Sequence, residues 1–285
     1  LDHYQPFQSA KSTLYVLATP IGNLGDISLR ALEVLRTVDI IAAEDTRVTA
    51  NLLRAYKIKG SLISLREQNE AAMAQRIIDM LAAGKSVAQV SDAGTPAVSD
   101  PGAFLCSLVR QAGFPIIPLP GASALITALS VSGLTHPHFY FHGFLPPKTV
   151  QRKEILSALS PLSAILIFYE APHRIVASLK DCCTIFGENR RAFLARELTK
   201  TFETLRQGKL GELLEATLAD PMQQKGEFVL LIDAPEKGAQ QDITQADKVL
   251  LPLLEVLPLK QAVQIAAQLT SFSRNQLYER ALFLK

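Results

Sequence analysis

"TLYVLATPIGNLGDISLRALEVLRTVDIIAAEDTR", residues Thr13 to Arg47, reads strand, loop, helix, strand. That order is a βαβ unit, and a parallel sheet follows from it because two parallel strands need a crossover connection. The loop after the first strand, Thr19 to Asp26, carries Pro20, Gly22 and Gly25. It has neither G-x-G-x-x-G nor the lysine of a P-loop, so both common phosphate cradles are missing.

Outward from this unit come a helix around Val48 to Tyr56, a short strand near Leu62 and a helix from Glu70 to Ala83. Next is "SVAQVSDAGTPAVSDPG", in which Val87 to Val90 is apolar enough for a buried parallel strand. Phe104, Leu105, Leu108 and Val109 have helical spacing, so Ser91 to Gly102 is a strand-to-helix loop, longer and stiffer than a turn requires. In open parallel sheets ligands sit outside the carboxyl ends of the strands, where this loop must lie. Gly94 and Gly102 let backbone approach a ligand, Pro96 and Pro101 fix φ, and Asp92, Thr95 and Asp100 present oxygens. The alternative is punctuation, with Asp100 as the N-cap of the next helix and Pro101 at its first position. "FPIIPLPGASALITALSVSG" repeats the pattern: strand, a turn at Pro120-Gly121, and a helix of small residues from Ala122 or Ser123.

The texture changes at Phe139. "HFYFHGFLPP", "SAILIFYEAPHR", "AFLARELTKTFETLRQG" and "GEFVLLIDA" carry strands, with helices between, which predicts a second α/β domain with a mixed sheet. A polar linker, Pro235 to Asp242, separates it from an all-helical end broken at Leu257-Pro258 and near Ser271. The expected division is an N-terminal α/β domain over 12–132, a second over 133–236 and a helical module over 242–285. A chain of 285 residues is long for one core, which agrees with that division.

The composition, 48% hydrophobic and 20% charged, is that of an ordinary globular protein, and no apolar run approaches a membrane span. "LDHYQPFQSAKS" lacks a signal peptide's apolar core, so a cytoplasmic location is expected. Cys106, Cys182 and Cys183 lack C-x-x-C spacing and read as reduced core thiols. A net charge of +2 neither requires nor excludes nucleic acid.

The strand-end loops together carry a resemblance. "ATPIGNLGDISLRALEVL", "AAEDTR", "VSDAGTPAVSDPG", "PLPGASALITAL", "FYEAPHR", "ARELTKTFE" and "KGEFVLLI" stand in the order seen in the tetrapyrrole methylase superfamily. They resemble its bacterial branch that methylates a ribose 2′-hydroxyl of small-subunit ribosomal RNA, over about Leu14 to Leu284. The resemblance implies two α/β domains with S-adenosylmethionine (SAM) in the cleft between them, a homodimer, and a cytidine of the 16S rRNA decoding centre as acceptor. Relatives acting on tetrapyrroles carry G-D-P where this chain has Gly94-Thr95-Pro96. Carried over, the cofactor site draws on Pro20, Ile21, Gly22, Asp92, Gly94, Thr95, Pro96, Val98, Ser123 and Ala124. The second domain adds Tyr169, Leu198 and Gly226, with Glu170 beside Tyr169.

Methyl transfer to a hydroxyl is an in-line displacement helped by removal of the hydroxyl proton. Glu170, Glu197 and Lys200 are the candidates for base or orienter. Arg174 or Arg196 would clamp a phosphate, unless Arg196 and Glu197 form an internal salt bridge. In "AEDTR", Asp45 reads as a helix cap and Arg47 as an RNA contact. His138, His142 and Tyr140 share a face by strand parity, with His136 nearby, yet a metal is not expected because the transfer needs no Lewis acid. In the helical end, "TSFSRN" resembles the corner of a helix-turn-helix, with Ser273 as N-cap and Arg274, Asn275, Gln276 and Arg280 facing RNA. The competing readings are a methyltransferase of a small tetrapyrrole, a non-catalytic RNA-binding protein, and, for the helical end, a clasp on the second domain.

Overall fold

The computed structural model of the chain describes residues 8–235, 246–270 and 272–284. The linker predicted at Pro235 to Asp242 lies, beyond Pro235, outside the described residues. Both sheets fall in one compact unit and the last three helices in another.

The first sheet is built from β1 (Leu14–Leu17), β2 (Ile40–Ala43), β3 (Leu62–Ser64), β4 (Val87–Val90) and β5 (Ile116–Leu119). Their order is β3-β2-β4-β1-β5 and every pairing is parallel. Such a sheet must be covered on both faces, which is why its strands are nearly unbroken apolar runs. Alternate side chains divide between the two layers. Tyr15, Leu17, Ile41, Ala43, Ala88 and Val90 pack with α1 (Leu29–Thr37) and α2 (Thr46–Ala55). Leu14, Ile40, Ala42 and Val87 pack with α3 (Glu70–Ala82) and α4 (Ala103–Gln111). Truncating Leu17, Ile77 or Leu105 to Ala in such packing costs about 2–5 kcal/mol. Pro118 is tolerated because β5 is an edge strand.

The second sheet joins β6 (Phe139–Phe144), β7 (Ile165–Glu170), β8 (Arg191–Arg196), β9 (Thr204–Lys209) and β10 (Phe228–Ile232) in the order β6-β7-β10-β8-β9. Only β6 and β7 run parallel, so the sheet is mixed as the sequence predicts. One face, with Ile165, Ile167, Phe193, Ala195, Val229 and Leu231, packs on Leu125 and Ala128 of α5 (Ala124–Val131). The helix that follows β5 therefore ties the two sheets together. Three further helices, α6 (Thr149–Leu159), α7 (Ile175–Phe186) and α8 (Leu210–Ala219), complete this unit. Arg152 of α6, fully buried, is neutralised by Asp181 of α7 at 2.6 Å and donates to the carbonyls of Pro146 and Pro147. A buried charge persists only with such partners.

One local reading is corrected. Asp100 does not cap α4. The N-cap is Gly102, at φ 127°, and the Glu70 carboxylate accepts from the backbone N–H groups of Gly102 and Leu105. An acceptor delivered by α3 does the work that Asp100 was expected to do, and Asp100 is released toward the strand ends. In β6 the register shifts between Phe141 and Gly143, yet His142 stays beside Tyr140, with ring centroids 6.3 Å apart, and beside Phe168 of β7 at 5.9 Å.

The smaller unit holds α9 (Asp247–Val256), α10 (Leu259–Leu269) and α11 (Arg274–Leu284) around Leu250, Val263, Ala266, Phe272, Leu277 and Ala281. Ser273 and Gln276 form a reciprocal capping box at the start of α11, as the N-cap reading anticipated, which commits the Gln276 amide oxygen. Tyr278 and Leu282 of α11 are exposed. Among the described residues no helix is long and apolar enough to cross a membrane.

Candidate functional site

Loops from both sheets converge on one cavity of about 420 Å³. The first sheet contributes Ile21 after β1, Glu44 after β2, the run Asp92 to Thr95 with Val98, Ser99 and Asp100 after β4, and Ser123 and Ala124 before and at the start of α5. The second contributes Phe144, Tyr169 to Pro172, Leu198, and Glu227 to Val229.

The loop after β4 is held stiffly in place. Thr19 and Gly94 exchange both backbone hydrogen bonds, at 2.9 and 3.0 Å. The Thr19 hydroxyl donates to the Ser91 carbonyl, the Ser91 hydroxyl to the Gly94 carbonyl, and the Thr95 hydroxyl to the Ala122 carbonyl. Ala97 and Ser99 sit at φ 67° and 64°, and across the cavity Glu197 and Thr199 sit at 52° and 66°. Left-handed non-glycine residues are costly, by about 1–3 kcal/mol each, and concentrate where function fixes the backbone. Gly94 is required in its turn by φ +78°, and a Cβ there would lie 3.3 Å from Ile21 Cγ2.

Acids dominate the side of the first sheet. Burial pushes the Asp100 carboxyl up to about 6, and the charges of Glu44 and Asp92 push the same way. Burial likewise raises Glu44, reinforced by Asp92. The Tyr169 hydroxyl, also raised by burial, accepts from the Leu125 N–H at 3.1 Å, at the first turn of α5. Ile21 and Val98 from the first sheet and Leu198, Phe228 and Val229 from the second add apolar surface, and the second sheet adds the carboxylates of Glu170 and Glu227.

Of the cofactor residues expected from sequence, nine line this cavity: Ile21, Asp92, Gly94, Thr95, Val98, Ser123, Ala124, Tyr169 and Leu198. Pro20 and Gly22 line a neighbouring hollow instead. Pro96 is buried beside the cavity lining without being part of it. Gly22 and Gly226 have a spacing role, since a Cβ on either would stand 2.5 Å from Lys200 Cγ or from the Glu197 carboxylate. They let the "RELTK" loop close on its neighbours.

The charged candidates are mostly occupied. Glu170 lines the cavity, but its carboxylate accepts from Ser178 Oγ at 2.5 Å and the Ala171 N–H and pairs with Arg174 at 2.9 Å. Lys200 bridges Glu197 and Glu227, each at 2.8 Å. Burial works against both charges of the Glu197–Lys200 pair. The ion pair, with the Glu227 N–H added on Glu197, outweighs it, so Glu197 ends below its usual range and Lys200 above. Arg196 is corrected as an RNA contact: it is 8% exposed and donates to the carbonyls of Lys225 at 2.6 Å and Phe202 at 3.1 Å. The alternative Arg196–Glu197 bridge is absent among the described residues as well; Glu197 pairs with Lys200 instead. Arg174 serves Glu170 and the Leu145 carbonyl. Arg280 forms a two-bond pair with Asp247 and stacks near Phe283, so it holds α9 to α11 rather than standing ready for phosphate. Arg47 is 84% exposed at its side chain, paired with Asp45, which also caps α2. Arg274 is exposed at the start of α11. Among the described residues no group of three or more His, Cys, Asp or Glu is arranged to hold a metal ion.

Sequence reasoning missed Glu44, Ser99 and Phe144 as wall residues and read Asp100 chiefly as a cap. The position of Glu44, directly after a buried strand, was the available signal. The approach of Ser99 to Gly143, whose added Cβ would lie 2.9 Å from Ser99 Oγ, depends on long-range packing and left none.

The family model described as Tetrapyrrole (Corrin/Porphyrin) Methylases matches residues 13–214, and one described as RsmI C-terminal HTH domain matches residues 240–285. A protein of Neisseria meningitidis serogroup B named Ribosomal RNA small subunit methyltransferase I is 49% identical, covering 96% of this chain and 94% of its own. The protein of the same name from Escherichia coli O157:H7 is 44% identical over 99% of both chains. Among solved structures, a cobalt precorrin-4 methyltransferase of cobalamin biosynthesis superposes with a TM-score of 0.58 at 16% identity, over 77% of this chain and 94% of that one. A uroporphyrin-III-C-methyltransferase from Thermus thermophilus gives 0.53 at 22% identity, over 78% and 94%. These two likenesses concern the fold.

Proposed function

Because the chain belongs to the tetrapyrrole methylase family, we propose that its cavity serves methylation of the ribose 2′-hydroxyl of a cytidine in the decoding centre of 16S rRNA. It is a SAM-dependent methyltransferase acting on small-subunit ribosomal RNA, the activity for which its near-full-length relatives are named. The 2′-oxygen, the cytidine and the decoding centre are our reading, as are a homodimer, a cytoplasmic location and the domain limits 12–132, 133–236 and 242–285.

The observation that carries the reading is the cavity's mixed lining of apolar side chains and half-buried carboxylates. At about 420 Å³ it falls within the range of roughly 300–1,000 Å³ usual for small-molecule sites. Apolar side chains from both sheets, Ile21, Val98, Leu198, Phe228 and Val229, fit a purine ring; the half-buried carboxylates of Glu44, Asp92 and Asp100 fit a ligand with two positive centres. SAM supplies an electrophilic methyl group on its sulfonium. Asp92 and Asp100 hold its ammonium, while the backbone at Gly94, Ser123 and Ala124 brings small surfaces and amides against its polar ends. The rigid loop after β4 fixes direction, which is most of what a collinear transfer requires.

Lys200, kept protonated by its two carboxylates, is an orienter in this scheme and not a base. Glu170 and Glu197 are orienters too, since each is held by donors. For the 2′-hydroxyl proton we propose Glu44, whose burial raises its affinity for a proton and which lines the cavity beside Asp92. The test is transfer of labelled methyl from SAM to small ribosomal subunits lacking the modification. Label in a 2′-O-methylcytidine of 16S rRNA is expected, and label on a base nitrogen, or none in RNA, refutes the reading.

A further inference from the structure

A second cavity, of about 800 Å³, shares Glu44, Asp92, Ser99 and Asp100 with the first. On the functional reading above, a nucleoside held in this cavity stands against that shared wall, next to the proposed cofactor. The rest of its lining includes Arg66, Glu67 and Gln68 at the carboxyl end of β3, and Phe104 on the first turn of α4. Two of its acids are committed, Asp45 to Arg47 and the α2 cap, and Glu70 to the α4 N–H groups. Glu67 and Gln68 are exposed and have no side-chain hydrogen bond among the described residues. The Arg66 guanidinium makes one long hydrogen bond, 3.4 Å to the Glu44 carbonyl. Phe104 is 48% exposed although it is a large apolar side chain.

We propose that this cavity receives the acceptor's base and reads it as cytosine. Phe104 stacks on the ring while Glu67 accepts from the exocyclic amine and Arg66 and Gln68 donate to the ring nitrogen and carbonyl. The proposal rests on the function given above. It follows from edge chemistry: a carboxylate beside two donors complements the amine, N3 and O2 of cytosine, whereas uracil sets its O4 against Glu67. Unstacked bases in RNA are recognised in this way, on an aromatic face and along their pairing edge.

Calorimetry on the full chain saturated with S-adenosylhomocysteine tests it, with cytidine, uridine and adenosine 5′-monophosphates as probes. The cytidine nucleotide should bind roughly tenfold or more tightly than the other two. Glu67→Gln should shrink the cytidine-over-uridine ratio to within about threefold, because an amide can donate to O4. Phe104→Ala should weaken cytidine nucleotide binding about fivefold or more. Both variants should bind S-adenosylhomocysteine as the wild type does, which also reports an intact fold. If Phe104→Ala loses that binding, the ratio in Glu67→Gln decides. Equal binding of the three nucleotides, no measurable binding, or a wild-type ratio in Glu67→Gln overturns the proposal. Methyl transfer by the wild type to small subunits is measured alongside. Absence of transfer defeats the functional reading by itself, and transfer with no cytosine preference defeats only this inference.

Discussion

Asp100 gives the most direct test of the cofactor assignment, because its carboxyl is displaced up to about 6 and a cationic ligand needs it ionised. The sign is set by the direction of the shift. Above pH 6 the carboxylate is available to an ammonium; below it the group is neutral and the attraction is lost. With a pKa near 6 the ionised fraction is about 90% at pH 7 and about 10% at pH 5, so SAM affinity should fall about tenfold over that interval, or about 1.4 kcal/mol. Asp100→Asn should flatten the profile and weaken binding at pH 7.5 by roughly tenfold to a hundredfold, the worth of a hydrogen bond to a charged group. The shift has an opposite consequence for the unliganded protein. A carboxyl whose folded value lies above its unfolded one loses stability as pH rises between the two. Asp100→Asn should therefore raise the melting temperature without SAM at pH 7 while removing most of the stabilisation SAM confers. Calorimetric titrations from pH 5 to 8 and paired melts measure both effects. A wild-type affinity that is flat between pH 7 and 5 would refute the placement of the ammonium at Asp100.

Gly94→Val puts a branched side chain at φ +78° with its Cβ 3.3 Å from Ile21, and should weaken SAM binding by calorimetry and lower the melting temperature. Replacing Lys200 or Glu197 by Ala should reduce turnover on small subunits far more than SAM affinity, and full turnover in both variants would remove that loop from the chemistry. Glu44→Gln should lower the single-turnover rate by about a hundredfold or more with SAM affinity within a few-fold of wild type, the signature of a lost general base. Ending the chain at Ala239 should leave SAM binding near wild type, abolish methylation of subunits and flatten the salt dependence of RNA binding. A truncated chain that methylates at the full rate shows that the helical module is not the RNA handle.

The first sheet was legible because its strands are buried on both faces and so carry unbroken apolar runs, and because α1, α3 and α4 have clear helical spacing. The cofactor side was legible for a related reason: ligand-facing loops at strand ends need Gly, Pro and short oxygen-bearing side chains, and those residues are conspicuous after β1, β4 and β5. What sequence did not reveal is which partner each charge takes. Asp100 looked like a cap because Ser-Asp-Pro-Gly is a good cap sequence, but Glu70, more than thirty residues earlier in the chain, supplies the acceptor. Arg196 looked like a phosphate ligand because it follows a strand in a polar loop, yet it is turned inward onto two carbonyls. A β-bulge hides in the same way: "FYFHGF" alternates like an ordinary strand, and only pairing with β7 exposes the shift at Gly143.

The differing exposure of acids and cations around the two cavities bears on how one fold can serve an RNA substrate. A sulfonium with an ammonium favours carboxylates, and a polyanion is repelled by them, so the two demands conflict if they meet on one open surface. Here the carboxylates on the wall shared by the two cavities, Glu44, Asp92 and Asp100, are partly withdrawn from solvent, while Arg47 and Arg66 stand exposed on the lining of the adjoining cavity, beside the exposed Glu67. Exposed cations act on phosphate over a distance set by the ionic strength, whereas recessed acids act chiefly on what enters beside them. The fold by itself does not choose the substrate, since proteins named for tetrapyrrole chemistry share it at low identity. The choice lies in the loops outside the strand ends. A neutral or basic residue at Glu67, or the loss of Phe104, would leave the first sheet and the cofactor wall intact while removing what distinguishes one acceptor from another.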